Sequence, residues 1–380
     1  MDAAKPSLDM LRSLTDEHVL RALVEHRRLT RAELATCTGI SKPTISESVR
    51  RLCAAGLVVD TGQRTTGRGR IGSYYALAGD VGRALVVSVA PDGVVAEALD
   101  VYGDVVARVA EEVTRPGRPA QVVRALDAAA RQARADGGHR FRLAVVSAAD
   151  PVDRATGRLV HLPDAPFLLG ELSPADVLAV TVDGPVTVDN DVNWAARAER
   201  AAAPQLDDFV YLHLGEGLGC AVVNDGAIRR GHAGLVGEIA HVLTLGPDGA
   251  AVPFTTVFAA LGLRQPGTTA IDVDALRAAV GSPEGAATLA VLARAVCGVL
   301  AAAVALADPE LVVVGGTWGA DPAVVDAITI ELRQLPRPVP VRAAHVSDQP
   351  ALAGARDQAL HQLRSSITGT TRSRDPLREA

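Results

Sequence analysis

Two helix starts stand close together near the N-terminus, at Thr30 and Ser41, with Gly39 between them. This spacing constrains the fold more than anything else in the chain. Thr30-Arg31-Ala32-Glu33 is a capping box, in which the Thr hydroxyl and the Glu carboxylate would each satisfy an orphan helix amide. A short helix starts there and is expected to run to about Cys37, ending in the turn Thr38-Gly39-Ile40. Ser41 then caps another helix, with Pro43 in the first turn where a missing N–H costs little. Upstream, Val19, Leu20, Leu23 and Val24 recur at helical spacing, which predicts a preceding helix over Asp16–His26. Ile45, Val49 and Leu52 form the inward stripe of the helix after Ser41. At 100° per residue, Pro43, Glu47 and Arg50 point outward, flanked by Thr44, Ser46 and Arg51. A short helix, a tight turn and a polar-faced second helix form a helix-turn-helix. Leu57-Val58-Val59 and Tyr74–Leu77 then read as two strands around a polar tip, Thr61–Arg70. Such a hairpin is a wing, and its arginines suit phosphates or a narrow minor groove.

Charge sharpens the reading. Net charge over the 380 residues is -6, which by itself argues against a nucleic-acid-coating protein. Residues 27–79, however, hold nine basic side chains against three acidic ones, so a +6 module is joined to a -12 remainder. Lys42 and Arg51 are expected to hold phosphates. Thr44, Ser46, Glu47 and Arg50 face base edges, and Arg64, Arg68 and Arg70 belong to the wing. A small helical scaffold with a solvated basic face is the competing explanation, and the joint occurrence of cap, stripe, wing and charge favours DNA.

Hydrophobic residues make up 48% and charged residues 22%, which excludes wholesale disorder. The cysteines, Cys37, Cys53, Cys220 and Cys297, form no CxxC pair, so neither a disulfide framework nor a zinc ribbon is expected. No basic-then-apolar leader opens the chain, and no uninterrupted apolar run reaches about 18 residues, so a cytoplasmic protein is expected.

After Asp80 apolar strands alternate with helices, and glycines stand at strand ends, as in an α/β domain. Strands are expected at Ala84–Val89, Val94–Leu99, Leu143–Ser147, Val186–Val188, Val210–Leu214, Cys220–Val223 and Leu311–Val314. Helices are expected at Gln121–Ala135, Asn193–Ala203 and Leu289–Ala307. Three ordered motifs lie among them: Val188-Asp189-Asn190-Asp191-Val192-Asn193, Gly215-Glu216-Gly217-Leu218-Gly219 and Gly237-Glu238-Ile239-Ala240-His241. Leu311–Gly316 and Gly354-Ala355 follow in order.

On these residues the chain resembles the ROK family of repressors, open reading frames and sugar kinases, over most of residues 10–365. The resemblance implies an α/β fold: an N-terminal winged helix-turn-helix followed by a two-lobed actin-like ATPase domain with a sugar cleft between the lobes. It implies that Asn190, Asp191, Glu238 and His241 bind sugar hydroxyls, with Asp191 at the position of the kinase base. Taken singly, Asn190 and Asp191 also fit a turn after a strand, and Glu238 and His241 fit helix caps.

The chain departs from the kinases in three places. The first phosphate loop, Asp-x-Gly-x-Thr in the kinases, reads Ser88-Val89-Ala90-Pro91-Asp92. A carboxylate replaces a hydroxyl, and Pro91 removes a donor. The second loop carries Glu216 between its glycines. The cysteines of the family's zinc motif fall on Ala251, Pro253 and Phe258, and its last Glu falls on Ala260. None of these binds zinc, and apolar packing of Val252, Phe254, Val257, Phe258 and Leu261 is expected in its place. Neither zinc nor ATP is therefore expected as a cofactor, and no residue is assigned to metal or catalysis.

These readings together predict a DNA-binding transcriptional regulator, a repressor, with no kinase activity. Residues 1–79 form the winged helix-turn-helix, 80–365 the ligand-binding and oligomerisation domain, and 366–380 a polar, disordered tail. The partners are a double-stranded operator, a sugar-like effector and a second copy of the chain in a homodimer or homotetramer. The alternatives are a sugar kinase with an accessory DNA module and a regulator whose cleft is vestigial.

Overall fold

In a computed structural model the chain is described over residues 8–66, 71–134, 140–162, 167–168 and 170–369. Three helices open it: α1 (Leu8–His26), α2 (Arg31–Thr38) and α3 (Lys42–Ala54). The strand β1 (Arg28–Thr30) lies between α1 and α2, and β2 (Val58–Arg64) and β3 (Ser73–Leu77) follow α3. The Thr30 hydroxyl accepts from the Glu33 amide and the Glu33 carboxylate accepts from the Thr30 amide, completing the capping box. Gly39 takes φ 69°, a left-handed helix end that a glycine adopts without strain. The Ser41 hydroxyl caps α3 at the Thr44 amide.

Leu20, Leu23, Leu34, Ile45, Val49 and Leu52 are all 0–1% exposed and make the core of this module. Burying each such side chain stabilises the fold by roughly 1.5–3 kcal/mol. The strands pair in the order β1-β3-β2, so the wing is one arm of a three-stranded sheet. The charge and apolar pattern did not mark β1, because three residues are too few to show alternation.

Two lobes of like topology follow. The first has β4 (Ala84–Ala90), β5 (Gly93–Leu99), β6 (Val105–Glu112), α4 (Pro119–Ala133), β7 (Leu143–Ala148), α5 (Pro174–Leu178), β8 (Val186–Asn190) and α6 (Asp191–Ala202). Its sheet order is β6-β5-β4-β7-β8, with an antiparallel meander from β4 to β6 and parallel pairing of β4, β7 and β8. The second has β9 (Phe209–Leu214), β10 (Leu218–Asn224), β11 (Ala227–Ile228), β12 (Leu243–Leu245), β13 (Ala251–Pro253), α7 (Phe254–Ala260), α8 (Val273–Val280), α9 (Gly285–Ala307), β14 (Leu311–Gly315), α10 (Pro322–Leu332) and β15 (Val341–Ala343). Its main sheet, β11-β10-β9-β14-β15, repeats the meander and the parallel pair. The helix α9 is long and apolar enough to cross a membrane by length and composition alone. Here it packs Leu292, Val296, Val299 and Leu300 into the core of the second lobe.

The last helix, α11 (Pro350–Gly369), returns to the first lobe and lies on α6, β4 and β7. This corrects the expected C-terminal boundary: Ile367 is 1% exposed, so the helix anchors residues that a polar composition assigned to a tail. The N-terminal module is also less separate than a domain boundary at 79/80 suggests. Its core runs unbroken through Ala78 and Val81 into Leu99, Val101, Leu352 and Leu363 of the first lobe and α11. Arg27, at φ 64°, pairs with Asp104 at 2.6 Å, stacks on Tyr102 and accepts the Tyr102 hydroxyl at its carbonyl.

Candidate functional site: a helix face and an interlobe cleft

The exposed face of α3 carries Lys42, Thr44, Glu47 and Arg50, with Ser46 half-buried beside them. Arg50 donates to Glu47 at 2.5 Å, one turn away. Arg51 departs from its expected place on that face. Its guanidinium turns inward to Asp16 (Nη2 to Oδ1, 2.6 Å), where the buried Ser48 hydroxyl also donates at 2.5 Å. A side chain that flanks the outward direction thus ties α3 to α1 and sets the tilt of the exposed face. On the wing, Arg64 pairs with Asp60 at 2.9 Å. Arg68 and Arg70 lie outside the described residues. Two further arginines stand at the same surface: Arg28 over the ring of Tyr74 and Arg31 over that of Tyr75, at 5.5 and 4.9 Å. Their place was legible only in the local charge count, since β1 was not.

The second site is a cleft of about 280 Å³ between the lobes. Asn190, Asp191, Glu238 and His241 all line it, brought there by two different elements. Asn190 ends β8 and caps α6, its Oδ1 accepting from the Val192 amide at 2.9 Å. Its Nδ2 faces the carbonyls of Ala148 and Asp150 at 3.4 Å. Asp191 opens α6. Behind them Asp189 pairs with Arg230 at 2.6 Å and accepts from Asn193 at 2.7 Å, which holds the turn. Glu238 and His241 stand on the loop between β11 and β12, so neither caps a helix. Gly237 presses that loop onto β10: a Cβ there would sit 1.7 Å from the Cys220 carbonyl, and its φ of 98° also favours glycine.

Sequence reading missed several residues of the cleft, Asp150 and Arg115 among them. Asp150, just past β7, is 4% exposed and lines the cleft. Its Oδ1 has no hydrogen-bond partner among the described residues. An Asp-Pro step after an apolar strand gave no signal beyond a turn. Arg115 stands at the cleft mouth and binds both anomalous phosphate-loop carboxylates, Asp92 and Glu216, the latter at 2.6 Å.

The electrostatics of the cleft follow from burial. Loss of solvation pushes Asp191 up to about 7, and the charges of Asp150 and Glu238 add to the shift against the pull of the Val192 amide. Glu238 is exposed at its outer edge, while the part of it that faces the protein is pushed up to about 7, by desolvation first and then by Asp150. Burial takes Asp150 to about 6, opposed by the Leu168 amide and by His161. His213, on β9 at the cleft, is pushed down to about 4 by burial and is neutral at pH 7.

The residues at the zinc-motif positions do not fit a zinc ion. Ala251 and Pro253 lie on β13, and Phe258 is fully buried in α7 against Phe254 and Trp318. Phe254 and Val257 are equally buried, and Val252 and Leu261 pack beside them.

A winged helix fused to a two-lobed, actin-like domain with a carboxylate-lined cleft is the class of protein these features define. Residues 94–253 match the ROK family, and residues 14–69 match the MarR family. The chain carries a ROK-family domain behind a MarR-type winged-helix domain. It is 33% identical over 150 residues to the bifunctional enzyme NanE/NanK of Brucella melitensis, covering 37% of this chain and 28% of that protein. It is 27% identical over 171 residues to the glucokinase of Streptomyces coelicolor, covering 44% and 52%. The chain therefore spans about a quarter to a half of these curated relatives. A xylose repressor of Caldicellulosiruptor bescii is 21% identical over 237 residues, covering 61% and 59%. Among solved structures, a ROK family transcriptional regulator, homolog of the E. coli MLC protein, superposes with a TM-score of 0.65 at 18% identity. That match covers 95% of this chain and 98% of the other, and it shows a common fold along both domains. A ROK family glucokinase from Streptomyces griseus, in complex with glucose and AMPPNP, matches 74% of this chain and all of its own at 25% identity and TM-score 0.56.

Proposed function

We propose that the chain is a cytoplasmic DNA-binding transcriptional regulator, a repressor, whose cleft binds a small polyhydroxylated molecule. The observation that carries this reading is the exposed face of α3 beside the wing, on a module whose core is continuous with a cleft-bearing domain. Lys42 and Arg64 hold phosphates, joined by Arg28 and Arg31 at the wing base. Thr44, Ser46, Glu47 and Arg50 reach base edges in the major groove. Two copies of the chain would present two such helices to two half-sites.

The cleft communicates with the module through packed helices. Asp191 begins α6, α6 lies along α11, and α11 packs against α1. Gly354 permits the crossing, since a Cβ there would meet the Trp194 carbonyl at 1.8 Å. A ligand that favours one setting of α6 biases the spacing of the two DNA-binding modules, which is the condition for allostery. In the cleft, carboxylates accept hydroxyl hydrogen bonds from the ligand and His241 adds a further polar contact. Asn190 serves as a positioning residue, its amide being engaged by the backbone.

Kinase activity is not part of this reading. Asp92 and Glu216 bring carboxylates to both phosphate loops, and Arg115 is bound by both. The test is selection of genomic fragments by the purified full chain, followed by anisotropy on the enriched duplex. The reading expects one discrete site bound far more tightly than bulk DNA. Sugar-dependent ADP release from ATP and Mg²⁺, with no fragment enriched, would overturn it.

A further inference from the structure

The cleft holds more negative charge than a neutral ligand can use. Asp92, Asp150, Asp191, Glu216 and Glu238 line it. Arg115 is the sole arginine or lysine among the described lining residues, and its guanidinium is already bound by Asp92 and Glu216. Asp150, Asp191 and Glu238 act on one another electrostatically, and no arginine or lysine among the described lining residues is left to offset them; His161 acts on Asp150 alone. Beside the larger effect of burial, Asp150 raises the proton affinity of both Asp191 and Glu238, and Glu238 raises that of Asp191. Asp150 is the most constrained of the three. It is 4% exposed, the Leu168 amide holds its carboxylate, and its Oδ1 points to no donor among the described residues. A buried carboxylate oxygen without a donor is costly, and a ligand that supplies the donor recovers that cost on binding.

A metal ion is a poor match, because among the described residues no three His, Cys, Asp or Glu side chains are arranged to hold one. A hydroxyl could donate to Asp150 but leaves the clustered charge in place. An ammonium group donates three hydrogen bonds from one centre and carries the charge the cluster lacks. Resting on the reading of the cleft as a small-molecule site, we propose that its occupant bears a protonated primary amine beside its hydroxyls. The amine is seated against Asp150, between Asp191 and Glu238. Asp150 is then a specificity-determining residue: it distinguishes an amine from a hydroxyl or an amide at one position of the ligand.

The test is calorimetric titration of the full-length protein at neutral pH with matched probes. These are glucosamine, galactosamine and mannosamine, their N-acetyl derivatives, and glucose, galactose and mannose; Mg²⁺ and Ca²⁺ alone are included. At least one free amine is expected to bind roughly tenfold or more tightly than its hydroxyl and N-acetyl counterparts. Asp150→Asn should abolish that preference, so that each amine and its hydroxyl counterpart bind within about twofold of one another. Asp191→Ala should abolish binding of all of them. Neutral sugars binding as tightly as the amines would overturn the amine assignment and leave the cleft reading standing. Binding of a divalent cation alone that Asp150→Asn removes would also overturn it, in favour of a metal. No binding by any probe would overturn the cleft reading and the amine assignment together. The panel alone decides the matter if the variant fails to fold.

Discussion

Arg197 donates to Asp357 at 2.8 Å where α6 crosses α11, linking the helix that begins at Asp191 to the helix that supports α1. The ion pair is partly exposed, so its contribution to stability is small, roughly 0–1 kcal/mol. It joins the two helices through which the proposed coupling would run. Arg197→Ala is expected to leave DNA affinity without ligand close to wild type and to reduce ligand-induced release by about 0.5–2 kcal/mol of coupling. Anisotropy titrations with and without ligand measure this. Unchanged release in the variant would place the coupling elsewhere.

Glu97 tests the attachment of α11 to the first lobe. It is fully buried on β5, where Arg356 donates to both its oxygens at 2.6 and 2.7 Å and Arg108 donates from the other side. Removing a buried carboxylate leaves two arginines without their partner, so Glu97→Ala should destabilise the chain by about 3–5 kcal/mol. Denaturant unfolding gives the number. A change below about 1 kcal/mol would show that the cluster is held by other groups.

The cleft carboxylates make stability depend on pH with an unusual sign. Their folded pKa values, about 6 for Asp150 and about 7 for Asp191 and Glu238, lie above those of the unfolded chain. The folded state therefore binds more protons, and the stability this brings is lost as pH rises through 6 to 7. His213 opposes this only below its ordinary value of 6.5, because its folded pKa is lowered to about 4. Between pH 8 and 6.5 the carboxylates prevail, and the melting temperature of the ligand-free protein should rise on acidification. Asp191→Asn should raise it at pH 8 and flatten the slope. Thermal scans across this window check both, and a wild-type melting temperature that falls as pH drops from 8 to 6.5 would contradict the burial argument.

The wing arginines are expected to act through phosphates. Arg64→Ala and Arg68→Ala should each weaken binding on all duplexes alike and reduce the salt slope by about 1. Arg50→Ala should relax sequence preference at one position, at a cost of about 1–3 kcal/mol on the best site. Titrations at several salt concentrations separate the two behaviours. An unchanged slope for both wing variants would remove the wing from the interface.

Much of this architecture was legible in the sequence where local chemistry decides local structure. The capping box at Thr30, the Ser41 cap and the stripe of Ile45, Val49 and Leu52 needed no partner to be read. The clustering of Asn190, Asp191, Glu238 and His241 in one cleft came from a family resemblance, because no spacing rule brings residues from β8 and a loop after β11 together. Arg51 was misplaced because an outward-flanking position says nothing of Asp16 on another helix. Asp150 and Arg115 were invisible for the same reason: their meaning lies in neighbours far away in sequence. The C-terminal boundary failed because a polar composition hid the buried Ile367.

DNA recognition by the α3 face underlies every other role proposed for the chain. The decisive measurement is anisotropy of the full chain on the duplex it enriches from genomic DNA, beside a scrambled duplex of equal length. Specific binding about 10³-fold or more tighter than to the scrambled duplex, lost in a Thr44→Ala, Arg50→Ala double variant that melts like wild type, is the predicted result. Equal binding of both duplexes, or specific binding that the double variant retains, would contradict it.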